Sequence, residues 1–235
     1  MLVLYLILFV SFTLIPGGII GVFIARSWGL FKSSIGKSVF FLSAGLLSWG
    51  IGNVVWSYYN FFKNIPVPYP SLSDFGFVTS YPLWTIGMIN LPHALGGKFG
   101  FKKWYSKLLI VLIPVFVLAL SYYLLVFITK NNIIFTPFTS YTKLFFDIAY
   151  PAWDVILLTT ALILGTSFKF FGGKYKLSIY TILIGFIFLY VADFLFSYTT
   201  SVNSYYNGGI ADFFFTISLA ILSFGVLGFY LKKAP

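Results

Sequence analysis

The sequence predicts an all-α integral membrane protein with seven transmembrane helices, and three observations carry that prediction. Apolar residues make up 60% of the 235-residue chain and charged residues only 9%. With a mean hydropathy of +0.96, that leaves too little polar surface to face water. Charge-free stretches recur at 1–25, 38–62, 75–97, 108–129 and 213–231, each able to cross roughly 30 Å of hydrocarbon at about 1.5 Å per residue. The basic residues also sort by connection, as the positive-inside rule requires of a multi-pass protein of the cell membrane.

The first apolar run, from Met1, has neither a basic leader nor a small-residue cleavage site and is too long for a signal-peptide core, so it reads as the first helix. Arg26, Lys32 and Lys37 follow it. The second stretch, 38–62, ends at Lys63, and the third, 75–97, is followed by Lys98, Lys102, Lys103 and Lys107. The fourth, 108–129, meets Lys130. Two further spans, about 144–168 and 177–200, are equally apolar except for Asp147 and Asp154 in one and Asp193 in the other. Lys143 precedes the first of these, and Lys169, Lys174 and Lys176 lie between them. The seventh, 213–231, ends at Lys232 and Lys233 and contains no lysine to form a retinal Schiff base. Twelve of the 15 cations fall on one side of this layout, which predicts the N-terminus outside and the C-terminus in the cytoplasm.

Composition excludes several chemistries. The chain has no Cys and a single His, His93, which leaves disulfide frameworks, thiolate sites, bis-His haem and His-based zinc without ligands. No cofactor is expected. A net charge of +10 suits topology and contact of the basic loops with anionic lipids better than nucleic acid, because the cations lie in short loops with no basic domain. Gly96-Gly97-Lys98 and Gly172-Gly173-Lys174 read as helix ends with basic flanks and lack the spacing of a phosphate loop.

A shift of 140 residues lays Leu42 to Tyr58 on Ile182 to Tyr198, matching Gly45 with Gly185, Ser57 with Ser197, Tyr58 with Tyr198 and Asn53 with Asp193. A shift of 138 lays Ser73 to Phe77 on Ala211 to Phe215, with Asp74 on Asp212, and continues through Ser80 on Ser218 and Gly87 on Gly225. The expected organisation is a 3+1+3 parallel repeat: about 1–97, a linker helix at about 108–129, and about 144–231.

The chain has no Glu and five Asp: Asp74, Asp147, Asp154, Asp193 and Asp212. All five map to the outer half of the predicted bundle, where an ionisable group must be paired, protonated or hydrated. Asp74 follows Ser71 by three residues and Asp212 follows Asn207-Gly208-Gly209, both in keeping with helix-start caps. Asp147 lies near a helix start too. Asp154 sits deeper unless a helix begins at Pro151, and Asp193 has Tyr190 and Ser197 on its face. Asn53, with Trp49 and Ser57 four residues to either side, is expected to hydrogen-bond across helices. His93 reads as an interface residue. The expected ligand-binding set is Asp154, Asp193, Asn53, Asp74, Asp212, Tyr150 and Tyr190, with no catalytic residue.

Pro68-Tyr69-Pro70-Ser71-Leu72-Ser73-Asp74, running on to Tyr81-Pro82-Leu83, resembles the multi-helix N-terminal membrane sensor region of bacterial diguanylate cyclase and phosphodiesterase proteins. Trp56-Ser57-Tyr58-Tyr59, Tyr150-Pro151-Ala152-Trp153-Asp154 and Ala192-Asp193 extend the similarity across about 45–225. Ser73 departs from the Ala expected at its position. The resemblance implies a sensory membrane module, and since no cytoplasmic output domain precedes Pro235, a signalling partner is expected. The proline-rich run from Pro66 to Pro70 predicts a stiff loop over the acids. A small-solute or proton-coupled transporter is the first alternative, and a structural or assembly protein the second.

Overall fold

The computed structural model describes residues 13–63, 68–94, 104–129, 140–168 and 175–231, and among these there is helix and no strand. The first helix is π-wound over Thr13–Ile20 and α-helical over Gly21–Ser27 (together α1), and a 3-10 turn at Leu30–Lys32 leads on. Next come Ser34–Tyr58 (α2, extended by a π turn at Tyr59–Lys63), Leu72–Ala94 (α3) and Trp104–Ser121 (α4, extended by a π segment at Tyr122–Thr129). Tyr141–Phe168 (α5), Lys176–Ser201 (α6) and Ile210–Leu231 (α7) complete the bundle. The expected first-helix residues before Thr13, Pro66, Gly96-Gly97, Gly172-Gly173 and most of the basic flanks, including Lys98, Lys130 and Lys232, lie outside the described residues.

Five of these elements are long and apolar enough to cross a membrane: Ser34–Lys63, Lys107–Thr129, Tyr141–Thr166, Lys176–Ser201 and Ile210–Tyr230. The sequence predicted seven; of the first expected span, 1–25, only the part from Thr13 lies among the described residues, and α1 over Thr13–Ser27 is too short to count. α3 falls short because it carries Ser73, Asp74, Thr79, Ser80, Tyr81, Thr85 and Asn90, and the structure shows where that polarity goes. Ser73, Asp74, Ser80 and Tyr81 are all buried against other helices, so that side of α3 is covered by protein and can be polar, while Leu72, Phe75, Ile86 and Ile89 are exposed on the rest. α4 is the opposite case. Leu108, Val111, Val115, Phe116 and Leu118 are exposed along it, the face of a helix that touches its neighbours along one side only.

Local chemistry starts the helices at or ahead of the charge-free runs. Ser33 caps α2 through its Oγ, which accepts from the Gly36 amide at 2.9 Å. Asp74 accepts from the Ser71 amide at 2.6 Å, and Asp212 accepts from the Gly208 amide at 2.7 Å. Each thus satisfies a backbone donor before its helix, as carboxylates at N-termini do. α5 begins at Tyr141 and runs through Pro151, so the alternative start at Pro151 is overturned and Asp154 lies well past the first turn.

The tightest packing joins α2 to α3 and α6 to α7. A side chain on Gly45 would strike Trp84, and one on Gly185 would strike Leu222 at 2.7 Å; one on Gly87 would meet Leu42 at 2.8 Å, and one on Gly225 would meet Ile182 at 2.5 Å. Where α2 and α3 cross at Gly52 and Gly76, a Cβ on Gly76 would lie 2.8 Å from the Gly52 amide nitrogen and 2.9 Å from the Ser48 carbonyl oxygen. Backbones approach this closely only through small residues, the usual device of helix pairs in lipid. α1 packs between α2 and α7, α5 packs between α3 and α6, and α4 lies against α5 and α6. The shared core runs through Leu42, Leu46, Trp49, Trp84, Phe186, Ile182 and Leu222.

Candidate functional site

Two interhelical hydrogen bonds and one pair of neighbouring carboxyls build the site. Near the loop end, the Tyr150 hydroxyl of α5 donates to Asp74 Oδ1 of α3 at 2.8 Å. Asp74 Oδ2 takes the Ser71 amide and the Ser71 hydroxyl, the latter at 3.1 Å. Asp74 is therefore both the expected cap and a cross-helix acceptor. Beside it, the Tyr69 hydroxyl donates to Asp147 Oδ1 at 2.9 Å, tying the α2–α3 connection to α5.

Deeper in, the Tyr81 hydroxyl of α3 donates to Asp193 Oδ2 of α6 at 3.0 Å. Asp154 of α5 lies near enough to both Asp193 and Tyr81 to interact with them electrostatically. Asp154 is 5% exposed and lies roughly 20 Å along α5 from Tyr141, at about 1.5 Å per residue. Among the described residues neither Asp154 nor Asp193 has a Lys or Arg partner. The Tyr81 and Tyr150 rings meet edge to face at 6.2 Å, which joins the deep and outer halves of the network.

This arrangement has a chemical consequence. Two full negative charges about 4 Å apart would repel by about 4 kcal/mol at an effective dielectric of about 20. Side by side in a buried site, the two carboxyls of Asp154 and Asp193 repel when both are ionised. At the loop, burial first and then the charge of Asp147 push the Tyr69 phenol above the usual tyrosine value, so Tyr69 remains a neutral donor across the physiological range.

Of the residues expected in the site, Asp154, Asp193, Asp74 and Tyr150 come together, and the network also includes Asp147. Three do not join by hydrogen bonding. Asp212 is held apart by the Gly208 amide and by the Tyr205 hydroxyl at 3.1 Å, a cap of α7 beside the Asn207–Asn60 bond at 2.8 Å. Tyr190 turns away because α4 offers it a partner: its hydroxyl and Ser121 Oγ lie 2.8 Å apart. Asn53, expected to bond across helices, is 4% exposed, and its Nδ2 has no partner. One turn before it on the same face, the Nε1 of Trp49 is likewise unpartnered, and Trp49 packs on Tyr81 with ring centroids 6.1 Å apart.

Tyr81 and Tyr69 are the functional side chains that sequence reasoning missed. Tyr81 lies seven residues after Asp74, two helical turns along one face of α3, a spacing that could have marked it. Tyr69 sits in a loop, where no periodicity applies. The described residues contain no group of three or more His, Cys, Asp or Glu able to hold a metal ion. No family model, curated protein or solved structure matches the chain.

Proposed function

We propose that the chain is a seven-span sensor of the cell membrane, N-terminus outside and C-terminus cytoplasmic, that binds a proton or small cation at the outward Asp–Tyr network. The observation that carries this reading is the burial of Asp154 against Asp193 with phenol donors and no basic partner among the described residues. Structural acids inside a membrane are ordinarily neutralised by a fixed partner, whereas acids left without one are available to a mobile charge.

A second support is convergence. Besides Trp56 to Tyr59, which supplies none of the network's hydrogen bonds, the stretches that carry the resemblance to bacterial sensor regions lie far apart in sequence: Pro68 to Asp74, Tyr81-Pro82, Tyr150 to Asp154 and Ala192-Asp193. Each contributes a side chain to this one network, through Tyr69, Ser71, Asp74, Tyr81, Tyr150, Asp154 and Asp193. A sensor of this kind passes its state to a partner at the cytoplasmic face, where the basic loops also meet anionic lipid.

The reading is tested by thermal unfolding of purified protein over panels of pH and cations, with Asp154→Asn and Asp193→Asn alongside. A ligand- or pH-dependent shift in the wild type that either substitution removes supports it. Identical melting of all three proteins under every condition sinks it.

A proton-coupled carrier is the second reading, favoured by the paired glycine contacts. Gly45 against Trp84 and Gly87 against Leu42 recur, at offsets of 140 in one helix and 138 in the other, as Gly185 against Leu222 and Gly225 against Ile182. Two halves packed alike, related by an axis along the membrane normal, suit alternating access. Solute uptake into proteoliposomes separates carrier from sensor.

A further inference from the structure

At the end of the bundle away from the acids, positive charge stands without a counter-charge. α2 begins there at Ser34 and ends at Tyr58 on the acid side, roughly 36 Å away at about 1.5 Å per residue. Arg26 lies in the last turn of α1, Lys32 ends the 3-10 turn after it, and Lys37 lies in the first turn of α2. All three are exposed. The first acid of the chain is Asp74, and the chain has no Glu. Asp154, the acid nearest this end along its own helix, stops roughly 20 Å short of Phe168, where α5 ends. No side-chain carboxylate reaches the three cations, so their charge is open to an anion from outside.

The turn that carries these cations is held in shape. Gly29 and Leu30 follow one another in left-handed backbone, at φ +83° and +47°, a region that strains leucine. The conformation is fixed by its surroundings: a Cβ on Gly36 would strike the Leu30 carbonyl, so the turn lies directly against the start of α2. Ser33 closes it, its hydroxyl donating to the Trp28 carbonyl while its oxygen accepts from the Gly36 amide. Trp28 and Leu30 pack on the core, whereas Phe31 is 54% exposed. Trp28 meets Tyr175 edge to face at 5.8 Å, and Tyr175 stacks on Phe229 at 5.6 Å, which ties the turn to α6 and α7. Lys176 of α6 is taken up by the Tyr180 ring, 5.8 Å from its centroid, leaving Arg26, Lys32 and Lys37 to define the charge.

Each of these cations has an apolar neighbour on the surface. Exposed Phe23 is three residues before Arg26 on α1, exposed Phe31 precedes Lys32, and half-buried Phe41 follows Lys37 by one turn. Phe31 lies edge-on to Phe40 at 4.9 Å and to Phe41 at 6.1 Å, so the rings form one patch. A free anion in water has no use for that patch. Charge beside exposed rings fits the boundary where phosphate groups give way to acyl chains. We propose that the α1–α2 turn is a binding site for one anionic phospholipid, its headgroup phosphate held by Arg26, Lys32 and Lys37 and its acyl chains laid along Phe31. Arg26 supplies a planar fork that matches phosphate oxygens, and the lysines supply point charges. A lipid seated there braces α1 and α2 and, through Trp28 and Tyr175, α6 and α7. The proposal rests on the membrane reading above, narrows its lipid contact to one place, and does not depend on the Asp–Tyr network.

The experiment titrates the intact chain in an uncharged detergent with phosphatidylglycerol, phosphatidylcholine or inorganic phosphate, and counts bound adducts by native mass spectrometry. Parallel samples are reconstituted into phosphatidylcholine vesicles and floated. The expected result is a chain that floats, retains a single phosphatidylglycerol and prefers it to phosphatidylcholine roughly a hundredfold, about fivefold for each of the three cations. Arg26→Gln, Lys32→Gln and Lys37→Gln each lower the preference about fivefold and together abolish it. Lys63→Gln and Lys143→Gln, at exposed positions on the acid side, leave it unchanged. Phe31→Ala weakens retention of both lipids by one factor and keeps their ratio.

Equal retention of the two lipids by a chain that floats overturns the lipid site and leaves the membrane reading standing. Failure to float with the vesicles overturns both. A loss of preference in Lys63→Gln or Lys143→Gln as large as in the turn variants means that charge anywhere suffices, and it also overturns the proposal. Displacement of the lipid by inorganic phosphate removes the lipid as occupant. If the triple variant does not fold, the three single variants decide, with an unchanged preference in all of them counting against the site.

Discussion

Substitution of Gly76 by alanine probes the crossing that holds α3, and with it Asp74 and Tyr81, against α2. The added Cβ would lie 2.8 Å from the Gly52 nitrogen, 2.9 Å from its Cα and 2.9 Å from the Ser48 carbonyl oxygen. All three are backbone atoms, so no side chain can turn aside. Ordinary contact begins at 3.4 Å, and the helices must therefore part by roughly half an ångström. Overpacking of this kind costs about 1–3 kcal/mol. The bond from Ser48 Oγ to the Gly76 carbonyl, 2.8 Å long, weakens with it, which adds about 0.6 kcal/mol by the average for membrane helices. Alanine's helix propensity returns up to about 1 kcal/mol.

The net is a loss near 2 kcal/mol, or roughly 4–8 °C in melting temperature for a chain of this length. Gly165→Ala is the control, because its Cβ would meet only Leu183 Cδ1, at an ordinary 3.7 Å, and the propensity gain should remain. Differential scanning fluorimetry in one detergent compares the two. Equal melting of Gly76→Ala and Gly165→Ala refutes the close backbone approach.

Two further outcomes are expected. Ser121→Ala removes the partner of the Tyr190 hydroxyl and should destabilise by about 0.6–1.7 kcal/mol; Tyr190→Phe in the same background should add little, because the bond is already gone, and strictly additive losses in a double-mutant cycle would contradict the pairing. For Tyr69 the sign runs upward: its phenol lies above the usual value through burial and the Asp147 charge, so its contribution is fully present below the ordinary phenol range and falls away as pH climbs through it. The stability difference between wild type and Tyr69→Phe, measured by urea unfolding, should hold from about pH 6 to about pH 9, about one unit below the ordinary phenol value of about 10, and shrink above that; a difference that vanishes near neutrality counts against the bond to Asp147.

Much of this was legible in the sequence because lipid imposes a single rule, that backbone polar groups be satisfied within the helix, and long apolar runs register that rule directly. The caps at Asp74 and Asp212 were readable for the same local reason: each lies a few residues after the donor it binds. Cross-helix partners were not readable. Tyr190 shares a face with Asp193, yet its hydroxyl goes to Ser121, since α4 happens to lie there. Asp154 was ambiguous while Pro151 could start a helix, and the run of α5 from Tyr141 resolves it. The polar residues of α3 lowered its hydropathy below that of a lipid-facing span, and only packing reveals that four of them, Ser73, Asp74, Ser80 and Tyr81, face inward.

The choice of partners argues for a variable charge. Had Asp193 been paired with lysine, the ion pair would be fixed, because removing either charge in a low-dielectric interior strands the other. The donor present instead is the neutral phenol of Tyr81, whose hydroxyl can donate to a carboxylate or accept from a carboxylic acid. On the proposed reading, a network of one acid pair and neutral donors has no charge that must stay.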